Sequence, residues 1–180
     1  MRFSILAYLS IGLMVGLSGC VEQEVVEVPP PAPLTDQAVG YYCNMTMTEH
    51  QGPKGQIRLK SRKDPVWFSS VRDTVAFTML PEEPKDIQAV YVTDMSNEAS
   101  WRDPENSTWI AAKTAHYVMG SRKNGGMGAP EPVPFATKEA AQIFSRQYGG
   151  NIVAFSDIPE SSILGPVELS NNPQIKEPGR

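Results

Sequence analysis

The chain has 180 residues, of which 41% are hydrophobic and 20% are charged, and its formal net charge is −4. A chain of this length suits one compact domain with further segments at its ends. The charge is mildly negative and the sequence has no long basic run, so nucleic acid is excluded as an expected partner.

Residues 1–19 have the pattern of a bacterial export signal. Arg2 supplies a positive charge, and residues 5–17 form an apolar run that suits a signal-peptide core but is short for a membrane span. The sequence LSGC, which ends at Cys20, resembles the lipobox of bacterial lipoproteins. We therefore expect cleavage before Cys20 and attachment of lipid to it, which would anchor the chain in a membrane. The alternative is an ordinary cleaved signal peptide with a free Cys20.

The next segment differs in composition from the rest of the chain. Residues 20–39 are predicted to be the lipidated cysteine and a linker rich in proline and glutamate, in which the prolines favour an extended conformation. Residues 40–158 are the predicted globular domain, and the composition of residues 159–180 is typical of a disordered tail. Because lipidation uses one of the two cysteines, Cys43 has no partner for an intrachain disulfide in the mature chain.

Two stretches of the predicted domain resemble each other. Residues 61–77 and 121–144 both begin with Ser-Arg-Lys, continue with Pro-Val-x-Phe and end in a helical pattern, and the second contains the insertion NGGMGAPE. Each copy predicts a strand, a strand, a helix and a strand. The first strands are predicted at residues 57–60 and 115–119, and the last strands at residues 89–95 and 151–158.

The predicted helices have clear ends. Ser70 and Thr137 are expected to cap their N-termini, while Pro81 and Gly149 are expected to end them. Neither unit can bury a sheet face alone, so we predict a single α+β domain of tandem duplicated ββαβ units that pack together.

The stretch YYCNMTMTEH contains three sulfur side chains in alternation, at Cys43, Met45 and Met47. In an extended segment this spacing would place all three sulfurs on one face. Thiolate and thioether are soft ligands that select Cu(I), whereas Zn(II) rarely accepts a thioether. The alternative for the two methionines is core packing, which the flexible methionine side chain often serves.

Met127 lies in the glycine-rich insertion of the second copy. Such a loop can turn sharply and present a side chain, so we predict that Met127 is a further metal ligand. His50 and His116 are additional candidates, because neutral imidazole binds copper, although a single histidine is commonly structural. Three other methionines lie in apolar patterns and are assigned to the core: Met79, Met95 and Met119.

These motifs resemble the NosL family of copper-delivery lipoproteins associated with nitrous oxide reductase. The resemblance rests on LSGC, on YYCNM and on residues 115–158, which begin AHYVMGSRKNGGMG. Asn44 stands where family members usually have glycine between the cysteine and the methionine. Asn124 stands where the family often has the first methionine of Met-Gly-x-Met-Gly.

The resemblance implies a fold related to organomercurial lyase, with Cys43, Met45 and Met127 as Cu(I) ligands. It also implies delivery of copper to apo nitrous oxide reductase, with an associated ABC-type membrane complex as a second partner. The anchor at Cys20 would hold the domain on the periplasmic side of a bacterial membrane, and Val21 after it favours the outer membrane. The sequence leaves open whether the copper-bound form is a homodimer in which two chains share ligands.

Two other functions also stay open. One is a non-catalytic periplasmic interaction lipoprotein in which Cys43 is incidental or forms an intermolecular disulfide. The other is an organomercurial-lyase-like enzyme. A fold does not carry an activity by itself, and carbon–mercury cleavage is expected to need more than the one free thiol of the mature chain. The sequence has no metal-hydrolase pattern such as H-E-x-x-H, so we expect no enzymatic activity.

Overall fold

The computed structural model describes residues 27–97, 99–103 and 107–167. The predicted signal peptide, Cys20 and the end of the predicted tail lie outside these residues. Within the described ranges, no helix combines the length and apolar character that crossing a membrane would require.

Two similar units follow one another along the described residues, joined by a connector at residues 94–115. The strands are β1 (Gly55–Leu59), β2 (Val66–Phe68), β3 (Ile87–Thr93), β4 (Trp109–Ala111), β5 (His116–Met119), β6 (Val133–Phe135) and β7 (Asn151–Ala154). The helices are α1 (Val71–Met79), α2 (Ala99–Arg102), α3 (Lys138–Tyr148) and α4 (Glu160–Leu164). The first unit is β1-β2-α1-β3 and the second is β5-β6-α3-β7, so the predicted α+β fold of two ββαβ units is confirmed.

Each unit builds an antiparallel sheet with its first strand in an interior position. The strand orders are β2-β1-β3-β4 and β6-β5-β7. The strand β4 comes from the connector and extends the edge of the first sheet. The N–H of Met95, just after β3, donates to the carbonyl of Pro134 in β6 at 3.0 Å, which joins the two sheets.

The ends of the two long helices follow from their capping residues. The hydroxyls of Ser70 and Thr137 accept the backbone N–H three residues later, at 3.0 and 3.2 Å. Helix α1 stops before Pro81, and α3 ends at Gly149, which has a φ of +77°. All four predicted helix ends are confirmed.

The helices bury their apolar sides against both sheets. In α1, Val71 and Val75 are buried in a cluster that also contains Tyr117 of β5, so the two units share one core. In α3, Phe144 is buried against Phe135 of β6. The methionines that the sequence assigned to the core lie in or against these clusters: Met79, Met95 and Met119.

The packed structure extends beyond residue 40, the predicted start of the domain. Leu34 and Ala38 are buried together with Met47. The N–H of Ala32 donates to Gln56 Oε1 at 2.8 Å, and Gln56 Nε2 donates back to the Ala32 carbonyl at 2.9 Å. Since Gln56 is fully buried in β1, the extended segment before residue 40 satisfies a polar group of the core.

The packed structure also extends beyond residue 158, the predicted end of the domain. Ile163 of α4 is buried in the core shared by the two units. The guanidinium of Arg72 donates to the carbonyls of Ile163 and Gly165, at 2.9 and 2.6 Å. The Ile163 side chain and these hydrogen bonds hold α4 on α1. The start of residues 159–180, which their polar composition predicted to be a disordered tail, is therefore part of the packed structure.

Candidate metal centre

Residues 39–46 form a tight loop. Val39 and Thr46 pair in an antiparallel bridge, and the N–H of Gly40 donates to the Met45 carbonyl at 2.9 Å. Residues 43–47 are therefore not extended, and the condition under which all three sulfurs would share one face is not met. The chain reverses inside this segment, so the alternation of its side chains does not define one face.

The loop brings two sulfur atoms to one point. A Cβ added to Gly40 would lie 2.5 Å from Cys43 Sγ and 3.7 Å from Met47 Sδ. Glycine is required here, because a side chain at residue 40 would displace the thiol. Cys43 and Met45 are half-buried, and Met47 is fully buried. The turn therefore brings Cys43 Sγ and Met47 Sδ to the same point beside Gly40, without an extended backbone.

The thiol has one polar neighbour in the first unit. Ser69 Oγ lies 3.4 Å from Cys43 Sγ, in a hydrogen bond that either group can donate. Ser69 is buried between β2 and Ser70, which caps α1. The Met47 side chain lies in an apolar cluster with these residues: Leu34, Ala38, Trp67 and Trp109.

His50 follows the sulfur residues after one short 3-10 turn, Met47–Glu49. Its Nε2 atom is buried and finds no hydrogen-bond partner in the parts of the chain that the structure describes. Buried polar atoms are rarely left without a partner. An imidazole nitrogen in this state is available as a ligand, which favours His50 among the two histidine candidates.

Met127 lies at the tip of a tight turn in the loop between β5 and β6. The N–H of Gly128 donates to the carbonyl of Gly125 at 2.9 Å, and Gly128 has a φ of +77°. A Cβ on Gly126 would collide with the carbonyl oxygen of Gln51. The tip therefore packs on the segment that follows His50, and the Met127 side chain is 42% exposed.

A buried lysine supports the segment beneath the Met127 tip. Lys54 is fully buried and its Nζ donates to the carbonyls of Gln51 and Gly52, at 2.8 and 3.0 Å. Burial lowers the pKa of Lys54 to about 8, against the opposing effect of the negative charges of Glu131 and Cys43. Lys54 thus holds the segment on which the Met127 tip packs.

Glu131 is the second buried charged residue of this region. Its Oε1 accepts the N–H groups of Val71 and Arg72 in the first turn of α1. Burial raises the pKa of Glu131 to about 8, although these two N–H donors act in the opposite direction. The sequence analysis did not single out Lys54 or Glu131, since a charged residue in a Gly/Pro-rich turn is usually solvated.

The donors that come together suit a soft metal ion. Within the described ranges, no three histidine, cysteine, aspartate or glutamate side chains gather as metal ligands. The thiol of Cys43 and the thioether of Met47 do approach one point. Thiolate with thioether is a donor set that suits Cu(I).

Comparison with known proteins agrees with these features. Residues 31–163 match the NosL family. The chain belongs to the NosL family. It is 41% identical over 162 residues to the copper-binding lipoprotein NosL of Achromobacter cycloclastes, which covers 89% of this chain and 83% of that protein. It is 30% identical over 154 residues to the copper-binding lipoprotein NosL of Stutzerimonas stutzeri, with coverage of 85% and 79%.

A solved NosL structure has the same fold. The crystal structure of the copper chaperone NosL from Shewanella denitrificans matches this chain with a TM-score of 0.65 and 32% identity. The match covers 74% of this chain and 99% of the other. The resemblance to NosL that the motifs indicated is therefore confirmed at the level of sequence and of fold.

Asn44 lies between Cys43 and Met45, where the resemblance to the NosL family implies a glycine. Its φ is +55°, in the left-handed region, and its side chain is exposed. This region costs most L-residues about 1–2 kcal/mol, whereas glycine and asparagine enter it readily. The backbone of the Cys43 loop therefore accepts asparagine in place of glycine.

A pair of substitutions at Asn44 tests this requirement. We expect Asn44→Gly to leave the free energy of unfolding nearly unchanged and Asn44→Ala to lower it by about 1 kcal/mol, because alanine disfavours positive φ. Denaturant unfolding of the metal-free protein measures both values. Because the Asn44 side chain is exposed, the substitutions change little buried area, and the difference in stability reports the backbone conformation. Equal stabilities of the alanine and glycine variants would contradict a conformational role for residue 44.

His116 lies at a different place from the Met127 loop. In the β5–β6 hairpin, His116 pairs with Phe135 and Val118 pairs with Val133. The loop that carries Met127 connects the strands beyond Val118 and Val133, at the other end of the hairpin. The structure therefore separates these two ligand candidates by the length of the hairpin.

Proposed function

We propose that this member of the NosL family is a Cu(I) chaperone that delivers copper to apo nitrous oxide reductase during its maturation. The observation that carries the proposal is the approach of Cys43 Sγ and Met47 Sδ to the same point beside Gly40. The names of the related proteins, copper-binding lipoprotein and copper chaperone, support copper as the cargo. Delivery to the reductase rests on the family resemblance.

The proposed ligand set centres on Cys43. As a thiolate it is the strongest donor and sets most of the affinity. The family resemblance supports Met45 and Met127 as weaker ligands. The geometry supports two further candidates: Met47, whose Sδ approaches the same point beside Gly40 as Cys43 Sγ, and His50, whose Nε2 has no hydrogen-bond partner among the described residues.

The burial of these side chains suits transfer by ligand exchange. Met47 is fully buried, Cys43 is half-buried and Met127 is 42% exposed, so the site opens toward solvent on one side. A ligand of the recipient can enter on that side before Cys43 leaves the metal. Tyr41 and Tyr42 are exposed in the same loop and offer apolar area next to the thiol.

The thiolate makes copper binding sensitive to two conditions. Protons compete with copper for the sulfur, so the affinity falls at low pH. Oxidation of Cys43 to a sulfenic acid or a disulfide removes the anionic thiolate donor, so an oxidised chain loses its strongest copper ligand.

The proposal includes a location and partners. Lipid at Cys20 anchors the domain on the periplasmic side of a bacterial membrane, and Val21 favours the outer membrane. The recipient is apo nitrous oxide reductase, and an ABC-type membrane complex acts with it. The role is non-catalytic, and a homodimer that shares ligands is compatible with the open side of the site.

Transfer from the loaded protein tests the function directly. The soluble chain from residue 21 is loaded with Cu(I) under anaerobic conditions and mixed with apo nitrous oxide reductase. We expect copper to move to the reductase, measured as copper bound to the separated reductase, faster than from a small Cu(I) chelate buffered to the same free copper concentration. The Cys43→Ser protein, carried through the same loading, is expected to transfer none. Equal rates from the chelate and from the protein would refute delivery.

A further inference from the structure

The loop between β5 and β6 is the insertion that distinguishes the second unit from the first. Asn124 and Pro130 pair in a bridge at its base, and the N–H of Gly125 donates to the Ala129 carbonyl at 2.9 Å. These contacts shape the turn and place Met127 at its tip. They do not explain what holds the whole turn against the first unit, where Cys43 lies.

Glu131 makes that connection. It directly follows the base of the turn, is 4% exposed, and its Oε1 accepts the N–H groups of Val71 and Arg72. Its Oε2 fills the space next to Gly125, where a Cβ would lie 2.6 Å from it. One carboxylate therefore touches both the turn that carries Met127 and the first N–H groups of α1.

The end of α1 that Glu131 binds is also the end that touches the thiol. The residue before the cap of α1 is Ser69, and its hydroxyl lies 3.4 Å from Cys43 Sγ. The path from the Met127 turn to the thiol thus runs through Glu131, the start of α1 and Ser69. The steps of this path are contacts between buried or half-buried groups and the short backbone segment from Ser69 to Arg72.

The opposite charge of Lys54 lies on the same side of the turn. Its Nζ donates to the Gln51 carbonyl, and Gly126 of the turn packs against that same oxygen. Burying a lysine and a glutamate costs free energy that apolar side chains would not cost. Glu131 touches the Met127 turn at Gly125, and Lys54 holds the Gln51 carbonyl on which the turn packs, so both buried groups bear on the placement of the turn.

We propose that Glu131 is a positioning residue that fixes the Met127 turn to the start of α1, so that Met127 can share one Cu(I) ion with Cys43. This inference rests on the proposed copper function. It assigns to Glu131 no bond to the metal. It predicts that the contribution of Met127 to copper binding is lost when the carboxylate is lost, even though the methionine is still present.

A double-variant comparison tests this dependence. Cu(I) affinity is measured by competition with a colorimetric chelator, and sulfur ligands are counted by X-ray absorption at the copper edge. We expect Met127→Leu and Glu131→Ala each to lower the affinity about 10-fold or more, within the range for ligands and their supporting groups. Each is expected to remove one sulfur from the copper shell. The protein with both substitutions is expected to bind as each single variant does, not more weakly.

Two further variants separate positioning from general loss of stability. Glu131→Gln keeps an oxygen that can accept the two N–H groups, so it is expected to restore most of the affinity. Asp94→Ala removes a carboxylate that accepts the N–H of Ala136, just beyond the other end of β6, at 3.0 Å. It is expected to reduce stability but to keep the affinity and the sulfur count.

The outcomes distinguish this inference from the proposed function. A full sulfur count in Glu131→Ala, affinity losses that multiply in the double variant, or no recovery in Glu131→Gln would each overturn the positioning role. If Met127→Leu lowers the affinity while Glu131→Ala does not, only the positioning role fails. If Cys43→Ser binds copper as tightly as the unchanged protein, the copper function itself fails.

Discussion

Replacement of Cys43 by serine is expected to lower the affinity for Cu(I) by at least about a hundredfold, with little change in stability. Serine has nearly the same shape, fits beside Gly40 and can still form a hydrogen bond with Ser69. Its hydroxyl is a hard donor that stays protonated, so the soft thiolate is lost. Residues that only support metal ligands change affinity about 10–100-fold when removed. The loss of the principal ligand should exceed this range.

The measurement is an anaerobic competition titration against a colorimetric Cu(I) chelator. Met47→Leu and Met79→Leu form a matched pair, because each replaces a methionine by a side chain of similar volume at a cost under about 1.5 kcal/mol. Met47 lies beside the thiol and Met79 packs against the core, so only the first is expected to weaken binding. A Cys43→Ser protein with unchanged affinity would refute a thiolate site. An equal loss in both leucine variants would refute the place of Met47 in it.

The fold could be predicted because its signals are local and occur twice. Ser70 and Thr137 each precede a helical stripe, and each helix ends at a proline or glycine boundary. The repetition of the same order of signals then fixed the ββαβ unit. Strand β4 could not be predicted in this way. It has only three residues, and it is a strand because it pairs with β3 at the edge of the first sheet.

The conformation of the sulfur segment could not be predicted from its alternation. A period of two is typical of a strand only where the backbone is extended, and Asn44 has a positive φ. The candidates themselves could be chosen by residue chemistry, because thiol and thioether are soft donors in any backbone. What the sequence could not show is which sulfurs meet. That depends on Gly40, whose missing side chain leaves the space that Cys43 and Met47 approach.

The buried pair Lys54 and Glu131 could not be found from the sequence for a different reason. Both lie in short segments between glycines and prolines, which have no hydrophobic periodicity. Their contacts are set by tertiary packing: Glu131 of the second unit accepts from the start of α1, and Lys54 holds the Gln51 carbonyl on which the Met127 turn packs. Their role is a property of the contact between the two repeats.

A chain that starts at Gly40, the domain boundary predicted from the sequence, is expected to be less stable than one that starts at residue 27. The loss should reach about 3 kcal/mol or more. Burial of one leucine contributes about 1.5–3 kcal/mol, and Leu34 is only 8% exposed. The shorter chain also leaves the buried amide of Gln56 without its two hydrogen bonds to Ala32, which costs about 1–3 kcal/mol. Denaturant unfolding of the two metal-free chains measures the difference.

The same truncation is expected to weaken copper binding, because it removes the support of the sulfur loop. Val39 is the bridge partner of Thr46, and the N–H of Met47 donates to the Ala38 carbonyl at 2.9 Å. Without these contacts, the sulfur of Met47 is no longer held beside the thiol. Val28→Ala in the longer chain is the control, since Val28 is 57% exposed and its loss should change neither stability nor affinity. If the shorter chain matches the longer one in both measurements, residues 27–39 are only a tether. If it loses both, the proline-rich segment is part of the copper-binding domain.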